Sequence, residues 1–212
     1  MILTPIPRNQ LRDTLDRFAA GLPDPLCRSV FGRIRVTPAD RAVGAEAEQH
    51  RLAALALARS FGMAIHPDGS QCPHNWDGTA LKGETEAYVI LHEAAHFVLA
   101  SPERRHLIDF GLGPGPDTVD REAAERAAVL SPLARDEDEA DASLLGIVWE
   151  AGLGQPALAS FLDQNWLEGL ERSAAPHFAA VIGRLRARLL LISGGSPGIS
   201  DRVKAAADCG AG

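Results

Sequence analysis

Apolar residues recur at helical spacing along most of this chain, and that periodicity is the feature that most restricts its fold. Ala, Leu, Arg and Glu, all abundant here, favour helices. The pattern predicts a mainly α fold, or an α+β fold with little strand. Helices are predicted at 8–20, 43–61, 84–100, 119–130, 135–151, 156–171, 175–192 and 199–207.

Three segments interrupt the helical pattern. Residues 63–83 are rich in Gly, Pro, Asp and Asn, which predicts a loop or a small hairpin region. Residues 111–118, GLGPGPDT, form a second predicted loop, and residues 29–38, SVFGRIRVTP, are compatible with a short strand. We therefore expect one domain, in which a helical and loop segment, 1–83, packs on a metal-binding helical core, 84–208.

Composition and charge exclude several classes of function. The net charge is −7 and no Lys/Arg-rich run is present, so direct binding to nucleic acid is not expected. No apolar run reaches the about 18 residues that a membrane span requires, and the first residues do not resemble a signal peptide. Cys27, Cys72 and Cys209 lie far apart, which predicts neither a disulfide framework nor a thiolate zinc site. These features favour a cytoplasmic, reducing environment.

The stretch LHEAAHFVLA carries the pattern H-E-x-x-H at His92, Glu93 and His96. On a helix, residues four apart lie on one face, so both imidazoles can bind one metal ion with Glu93 beside it as a catalytic acid or base. Burying these groups without a metal carries a desolvation cost, which favours a metal site over a core helix with hydrogen-bonded histidines. His66 and His74, in the polar loop, could border the site, but a surface position is the simpler expectation.

Two histidines leave the site short of a protein ligand, and the acidic stretch RDEDEADASLLG (135–146) is the best source of a third. Glu137 and Asp141 are four residues apart, so Glu137 can be the ligand while Asp141 orients a histidine. Glu139 is the other candidate. A solvated acidic first turn, favoured by the helix dipole, is the simpler alternative.

The stretch HEAAHFVLASPERRHLIDFG (92–111) resembles the signature of the elongation factor P hydroxylase family. The matched positions are the H-E-x-x-H pattern, Ala100, Arg104, Arg105, Leu107, Asp109, Phe110 and Gly111. Weaker similarity continues at 139–156, 163–169 and 189–206, so the resemblance covers about residues 85–206. The chain looks like a divergent relative of that family.

The resemblance implies an oxygen-dependent hydroxylase with non-haem iron(II), acting on a modified lysine of a protein substrate, a translation factor. Two histidines and one carboxylate form the facial triad of such iron enzymes. Alignment of the Gly154-Gln155-Pro156 stretch places the family's helix glutamate at Glu139, which we therefore prefer to Glu137 as the ligand.

The resemblance also suggests roles for three charged residues. Asp109 is expected to orient a histidine or to cap the loop that follows it. Arg104 or Arg105 is expected to pair with Asp109 or to hold an acidic group of the substrate. Without the resemblance, an arginine pair after a helix is more simply a solvated C-terminal end.

Two other functions fit the same motif. In a zinc metallopeptidase of the gluzincin type, Glu93 activates a zinc-bound water for attack on a peptide carbonyl. Such enzymes usually hold an extended peptide on a strand edge beside the helix, and no clear strand precedes residue 84. In a non-catalytic binding protein, the metal is structural and fully enclosed by protein ligands.

Overall fold

The fold is described here from a computed structural model, which describes residues 6–115, 118–167 and 174–191. This part of the chain is mainly helical, as the periodicity predicts. Its α-helices are α1 (Arg8–Ala20), α2 (Pro25–Arg35), α3 (Gly44–Ser60), α4 (Ala87–Leu99), α5 (Arg121–Ala127), α6 (Pro132–Gly152), α7 (Ala157–Asp163) and α8 (Ala174–Ala187). Two short strands, β1 (Ala64–Ile65) and β2 (Ala80–Leu81), and two 3-10 turns, Arg104–His106 and Ile108–Gly111, complete the described elements.

Helix α4 lies at the centre of the fold, between α3 and α6. It is apolar around most of its circumference, and Ile90, Leu91, Ala94 and Ala95 are fully buried. A helix that is apolar on all sides requires a neighbour on each side, because an exposed face would leave apolar surface in water. Glu93 and His96 of α4 are therefore buried, and His92 is partly buried.

The contact between α4 and α6 is close because Gly146 of α6 has no side chain. A Cβ atom added at Gly146 would lie 3.3 Å from the backbone nitrogen of His92 and 3.4 Å from its Cα atom. The glycine thus lets the two backbones approach each other directly at the residue that begins the H-E-x-x-H pattern. This approach brings the acidic first half of α6 within reach of the α4 histidines.

A second packing centre joins the two ends of the chain. Phe18 of α1, Phe31 of α2, Phe161 of α7 and Phe178 of α8 form a cluster in which ring centroids lie 4.8 to 6.4 Å apart. Such tilted and edge-to-face pairs stabilise a fold beyond the burial of their area. Residues before and after position 83 thus contribute to one continuous hydrophobic core.

The prediction of a short strand within 29–38 is wrong, because α2 covers most of that segment. Asp24 caps this helix by accepting a hydrogen bond from the backbone nitrogen of Cys27 at 2.9 Å, and Pro25 occupies the first helical turn. The buried residues Cys27, Val30, Phe31 and Ile34 follow the spacing of one helical face. The cap and this spacing are visible in the sequence and outweigh the β-branched residues that suggested a strand.

The predicted loop at 63–83 holds the paired strands, but these are parallel rather than a hairpin. Ala64 is paired with Ala80 and Ile65 with Leu81, so residues 66–79 form a crossover between the two strands. The helices predicted at 119–130 and 156–171 are shorter in the structure, as α5 and α7. The predicted helix at 199–207 lies outside the described residues.

Within residues 6–115, 118–167 and 174–191, no helix combines the length and the apolar character that crossing a bilayer requires.

Replacing Gly146 by valine tests the close approach of α4 and α6. The branched side chain would meet the backbone of His92, and overpacking of this kind lowers the free energy of unfolding by roughly 1–3 kcal/mol. Chemical denaturation of the purified protein measures this loss. Gly183→Val is the matched control, because Gly183 is an exposed helical glycine whose added Cβ meets no atom within 4 Å. Equal stability of the two variants would show that α6 does not press on α4 at this point.

Candidate metal centre

His92 and His96 lie one turn apart on α4 and point to the same side. Their Nε2 atoms are 3.0 Å apart. An oxygen of Glu139, from α6, lies 3.4 Å from Nε2 of His92 and 3.5 Å from Nε2 of His96. Atoms bound at about 2.0–2.2 Å to one ion are separated by distances of this order. The three side chains therefore form a group that could hold a metal ion.

The acidic half of α6 contributes Glu139 to this group and leaves Glu137 outside it. Glu137 is exposed, whereas Glu139 is partly buried and faces both histidines. Hydrogen bonds from His92 and His96 overcome the effect of burial, and they hold the pKa of the Glu139 carboxyl well below its ordinary value. Glu139 is thus the carboxylate placed to be the third ligand.

Asp138 holds His96 from the other side of the ring. Nδ1 of His96 donates to Asp138 at 2.8 Å, which leaves Nε2 directed towards Glu139. Arg104 donates to the second oxygen of Asp138, also at 2.8 Å. Burial opposes a charge on Asp138, but these two partners keep its pKa below the ordinary value. The aspartate therefore fixes the orientation of a candidate ligand, as carboxylates beside metal-binding histidines commonly do.

The roles predicted for Asp141 and Arg104 are corrected by these contacts. Asp141 does not orient a histidine; it accepts a hydrogen bond from Nε of Arg184 at 2.8 Å, which ties α6 to α8. Asp138 takes the predicted role because it lies one residue before Glu139 and turns towards α4. Arg104 pairs with Asp138 rather than with Asp109.

Arg105 does not pair with Asp109 either. Its Nε donates to the carbonyl of Phe97 at 2.8 Å, and its guanidinium lies 4.7 Å from the centroid of the Phe97 ring. The carbonyl belongs to the last turn of α4, where a positive group is favourable. Arg105 is therefore engaged at the end of the helix that carries the two histidines.

Glu93 is buried beside the histidines and has one described side-chain partner. Nδ2 of Asn75 donates to its carboxyl at 3.2 Å. Burial raises the pKa of Glu93, although the charges of His92 and His96 act in the opposite direction. A raised pKa brings a carboxyl group closer to the range in which it can both accept and donate a proton. The position and the protonation of Glu93 thus suit an acid or base.

The crossover loop supplies a second polar pair near the site. His74 is only 5% exposed, so the prediction that it lies at the surface is wrong. Its Nδ1 is 3.8 Å from the carboxyl of Asp109 and has no hydrogen-bond partner in the described structure. Asp109 accepts a hydrogen bond from Thr118 at 3.1 Å, which links it to the following loop rather than to His92 or His96.

An aromatic stack closes the site between this loop and α4. The rings of Trp76 and Phe110 are stacked with centroids 5.4 Å apart, and the imidazole of His96 is stacked on Phe110 with centroids 5.7 Å apart. Asp109 and Phe110 both have left-handed backbone conformations, with φ of 46° and 54°. Such conformations cost energy in residues with side chains and are found at sites that the surrounding structure holds in place.

The charges of the site suit a cation. Glu93, Asp138 and Glu139 bring three carboxyl groups to the two histidines, and only Arg104 contributes a permanent positive charge within hydrogen-bonding distance of Asp138. Burial disfavours a proton on His96, but hydrogen bonds to Asp138 and Glu139 raise its pKa to about 10. A proton on His96 or a divalent cation could balance the carboxylates, and binding of a cation requires that its ligands be deprotonated.

Asp138 and Asn75 were not predicted as parts of the site, and His74 was expected at the surface rather than beside it. Asp138 lies within the acidic stretch 135–146, but which acid of that stretch faces α4 depends on the rotation of α6 about its axis, which the local pattern does not give. Asn75 and His74 lie in an irregular loop whose path no periodic pattern describes. Their polar character was the only signal, and polar residues are ordinary in loops.

Asp138→Asn tests the orientation of His96. The neutral amide is a weaker acceptor than the carboxylate for the hydrogen bond from Nδ1 of His96. Loss of a charged partner of this kind weakens metal binding by about 10–100-fold. Competition of Fe²⁺ with a chromogenic chelator, carried out without oxygen, measures the dissociation constant. Asp136→Asn is the matched control, because Asp136 is an exposed acid of the same helix. Equal affinity in both variants would remove Asp138 from the metal centre.

Comparison of the chain with protein-family models, with curated proteins and with solved structures finds no match. The resemblance of residues 92–111 to the elongation factor P hydroxylases therefore stays a prediction from the sequence. The geometry around α4 and α6 is the basis on which a function can be proposed.

Proposed function

We propose that this protein is a metal-dependent hydroxylase that holds iron(II) with His92, His96 and Glu139 and acts on a modified lysine side chain of a protein substrate. The observation that carries the proposal is the convergence of two imidazoles and one carboxylate on one point between α4 and α6. The resemblance of residues 92–111 to the elongation factor P hydroxylases supplies the reaction and the substrate class. A translation factor as substrate implies a cytoplasmic location.

The donor set fits iron(II). Two histidines and one carboxylate bind one side of the ion in non-haem iron oxygenases and leave other positions open. When bound, the iron supplies the activation of dioxygen that hydroxylation requires. A histidine pair on one helix and a carboxylate on a second, later helix is also the arrangement of zincin metal sites. The proposal therefore includes a zincin-like site, but not the peptide hydrolysis that zincins catalyse.

The residues around the ligands have separate tasks in this proposal. Asp138 and Arg104 keep Nε2 of His96 directed at the site. Glu93 holds or moves a proton beside the ligands, and Asn75 fixes the direction of its carboxyl group. Burial of Glu93 at 8% exposure keeps this proton away from bulk water, which makes the transfer specific to a bound substrate.

A zinc metallopeptidase of the gluzincin type is the second candidate. It is favoured by Glu93, which lies beside both histidines and has the raised pKa that suits activation of a metal-bound water. The strands weigh against it. The described strands, β1 and β2, have two residues each, so they offer a peptide no extended edge of the kind that such enzymes use. We therefore place the hydroxylase first.

Metal content distinguishes the two candidates. Protein purified without oxygen from cells supplied with iron and zinc is expected to contain stoichiometric iron, which His92→Ala/His96→Ala and Glu139→Gln should lose because they remove ligands. Glu137→Gln is the matched control and should retain the iron, because Glu137 is exposed and outside the group. Iron retained by the histidine variant would overturn the proposal. Stoichiometric zinc in place of iron, lost in the same variants, would favour the peptidase.

Glu93→Gln tests the proton-transfer role. The amide retains the shape of the side chain but cannot exchange a proton, so kcat for substrate-dependent oxygen consumption should fall by about 10²–10⁴-fold while the iron content is unchanged. The assay uses a translation factor that carries the modified lysine. Glu103→Gln, an exposed acid beyond the end of α4, serves as the control. An unchanged rate in Glu93→Gln would exclude an acid or base role for this residue.

A further inference from the structure

A second group of metal-ligating side chains lies in the crossover loop between β1 and β2. His66, Cys72 and Asp77 bring a ring nitrogen, a sulfur and a carboxylate oxygen within 4.8 Å of one another. Nε2 of His66 is 2.7 Å from an oxygen of Asp77. All three side chains are partly buried, so the group is neither a solvated surface cluster nor a sealed core contact. We call this group the loop site.

We propose that the loop site binds a zinc ion, in addition to the metal held by His92, His96 and Glu139. The donor chemistry points to this ion. Thiolate sulfur disfavours magnesium, calcium and manganese, whereas zinc accepts nitrogen, sulfur and oxygen donors together. A neutral imidazole, a thiolate and a carboxylate carry two negative charges, which one Zn²⁺ neutralises.

Asp77 is already held as a metal-binding carboxylate would be. Its Oδ1 accepts hydrogen bonds from the backbone nitrogens of Thr79 and Ala80, at 2.8 and 2.9 Å, and from the Thr79 hydroxyl at 2.7 Å. These bonds fix the carboxyl group and leave Oδ2 directed at His66. Hydrogen bonds of this kind orient ligands and are typical of metal sites.

The other two ligands are also positioned by the backbone. His66 follows β1, and its backbone nitrogen donates to the carbonyl of Leu81 at 2.9 Å. The thiol of Cys72 donates to the carbonyl of His74 at 3.1 Å. Zinc binding would replace the proton that His66 shares with Asp77 and release the Cys72 thiol proton to solvent, with small shifts of the side chains towards the ion.

The sequence contains no pair of neighbouring cysteines, which is why a thiolate zinc site was not predicted from it. The loop site needs only one cysteine, because the turn before β2 folds Asp77 back towards His66. In this turn Trp76 bridges Leu81 in the antiparallel sense, and the backbone nitrogen of Asp77 donates to the carbonyl of Ala80. Cys27 does not compete for the metal. Burial, with the neighbouring Asp24, raises the pKa of the Cys27 thiol to about 12, so it stays protonated.

A zinc ion at the loop site would hold the part of the loop that reaches the metal centre. Between Cys72 and Asp77 the chain places Asn75 on Glu93 and inserts Trp76 against Phe110. Nε1 of Trp76 also donates to the carbonyl of Arg105 at 2.9 Å. The zinc would therefore add a further tether to a segment that the buried ring of Trp76 anchors in the core.

Cobalt(II) tests the loop site separately from the metal centre. Cobalt substitutes for zinc and gives a thiolate-to-metal charge-transfer absorption, and only the loop site contains sulfur. The full chain, stripped of metal under reducing conditions, should develop this absorption with stoichiometric Co²⁺ and lose it when Zn²⁺ is added. The His92→Ala/His96→Ala variant should give the same absorption, so the result does not depend on the proposed hydroxylase function.

Variants of the loop assign the absorption to its ligands. Cys72→Ser should abolish it, because a hydroxyl is a poor ligand, while the serine keeps a donor for the carbonyl of His74. Asp77→Asn keeps an oxygen for the backbone bonds and should weaken cobalt binding by at least about tenfold. Cys209→Ser is the matched control and should leave the spectrum unchanged.

Two results would overturn the loop site. One is the absence of a charge-transfer absorption from the wild-type chain at saturating Co²⁺. The other is an absorption that persists in Cys72→Ser, which would assign it to another cysteine. Circular dichroism of Cys72→Ser without metal verifies that the variant is folded, so a lost absorption reports a lost ligand.

Discussion

The direct approach of α4 and α6 is the constraint on which the rest of this structure depends. Glycine at position 146 lets the two backbones touch beside His92, and this distance decides which side chains of α6 reach α4. Charged groups in the interior are costly unless they are paired. Here the carboxyls of Asp138 and Glu139 meet the imidazoles of α4 at hydrogen-bonding or near hydrogen-bonding distance, so the pairing is a result of the helix contact.

Around this helix pair, irregular segments complete the site. The crossover loop contributes Asn75 and His74, and the turns after α4 contribute Arg104 and Asp109. Regular helices supply the ligands because their spacing is rigid, whereas loops supply groups that must approach from other directions. The proposed loop zinc would give the crossover a rigidity closer to that of the helices.

The sequence predicted the parts of the site that lie within one helix and left open those that depend on contact between segments. The spacing of His92 and His96 was sufficient to place both on one face of α4. To choose among the acids of α6, one must know how that helix is rotated about its axis. Tertiary packing sets this rotation, and the local sequence pattern does not reveal it. For this reason Asp138 has the role that was predicted for Asp141, and His74 is buried although a surface position was expected.

The left-handed turn at Asp109 and Phe110 sets the backbone preference of these residues against the packing of the Phe110 ring. A glycine at position 110 would relax the backbone, but it would also remove the fully buried ring that packs on Trp76 and on His96. The unfavourable backbone torsion at Phe110 is retained because its ring packs against His96. Substitutions that relax the backbone at position 110 would therefore remove a packing partner of His96. This limits which residues can replace Phe110.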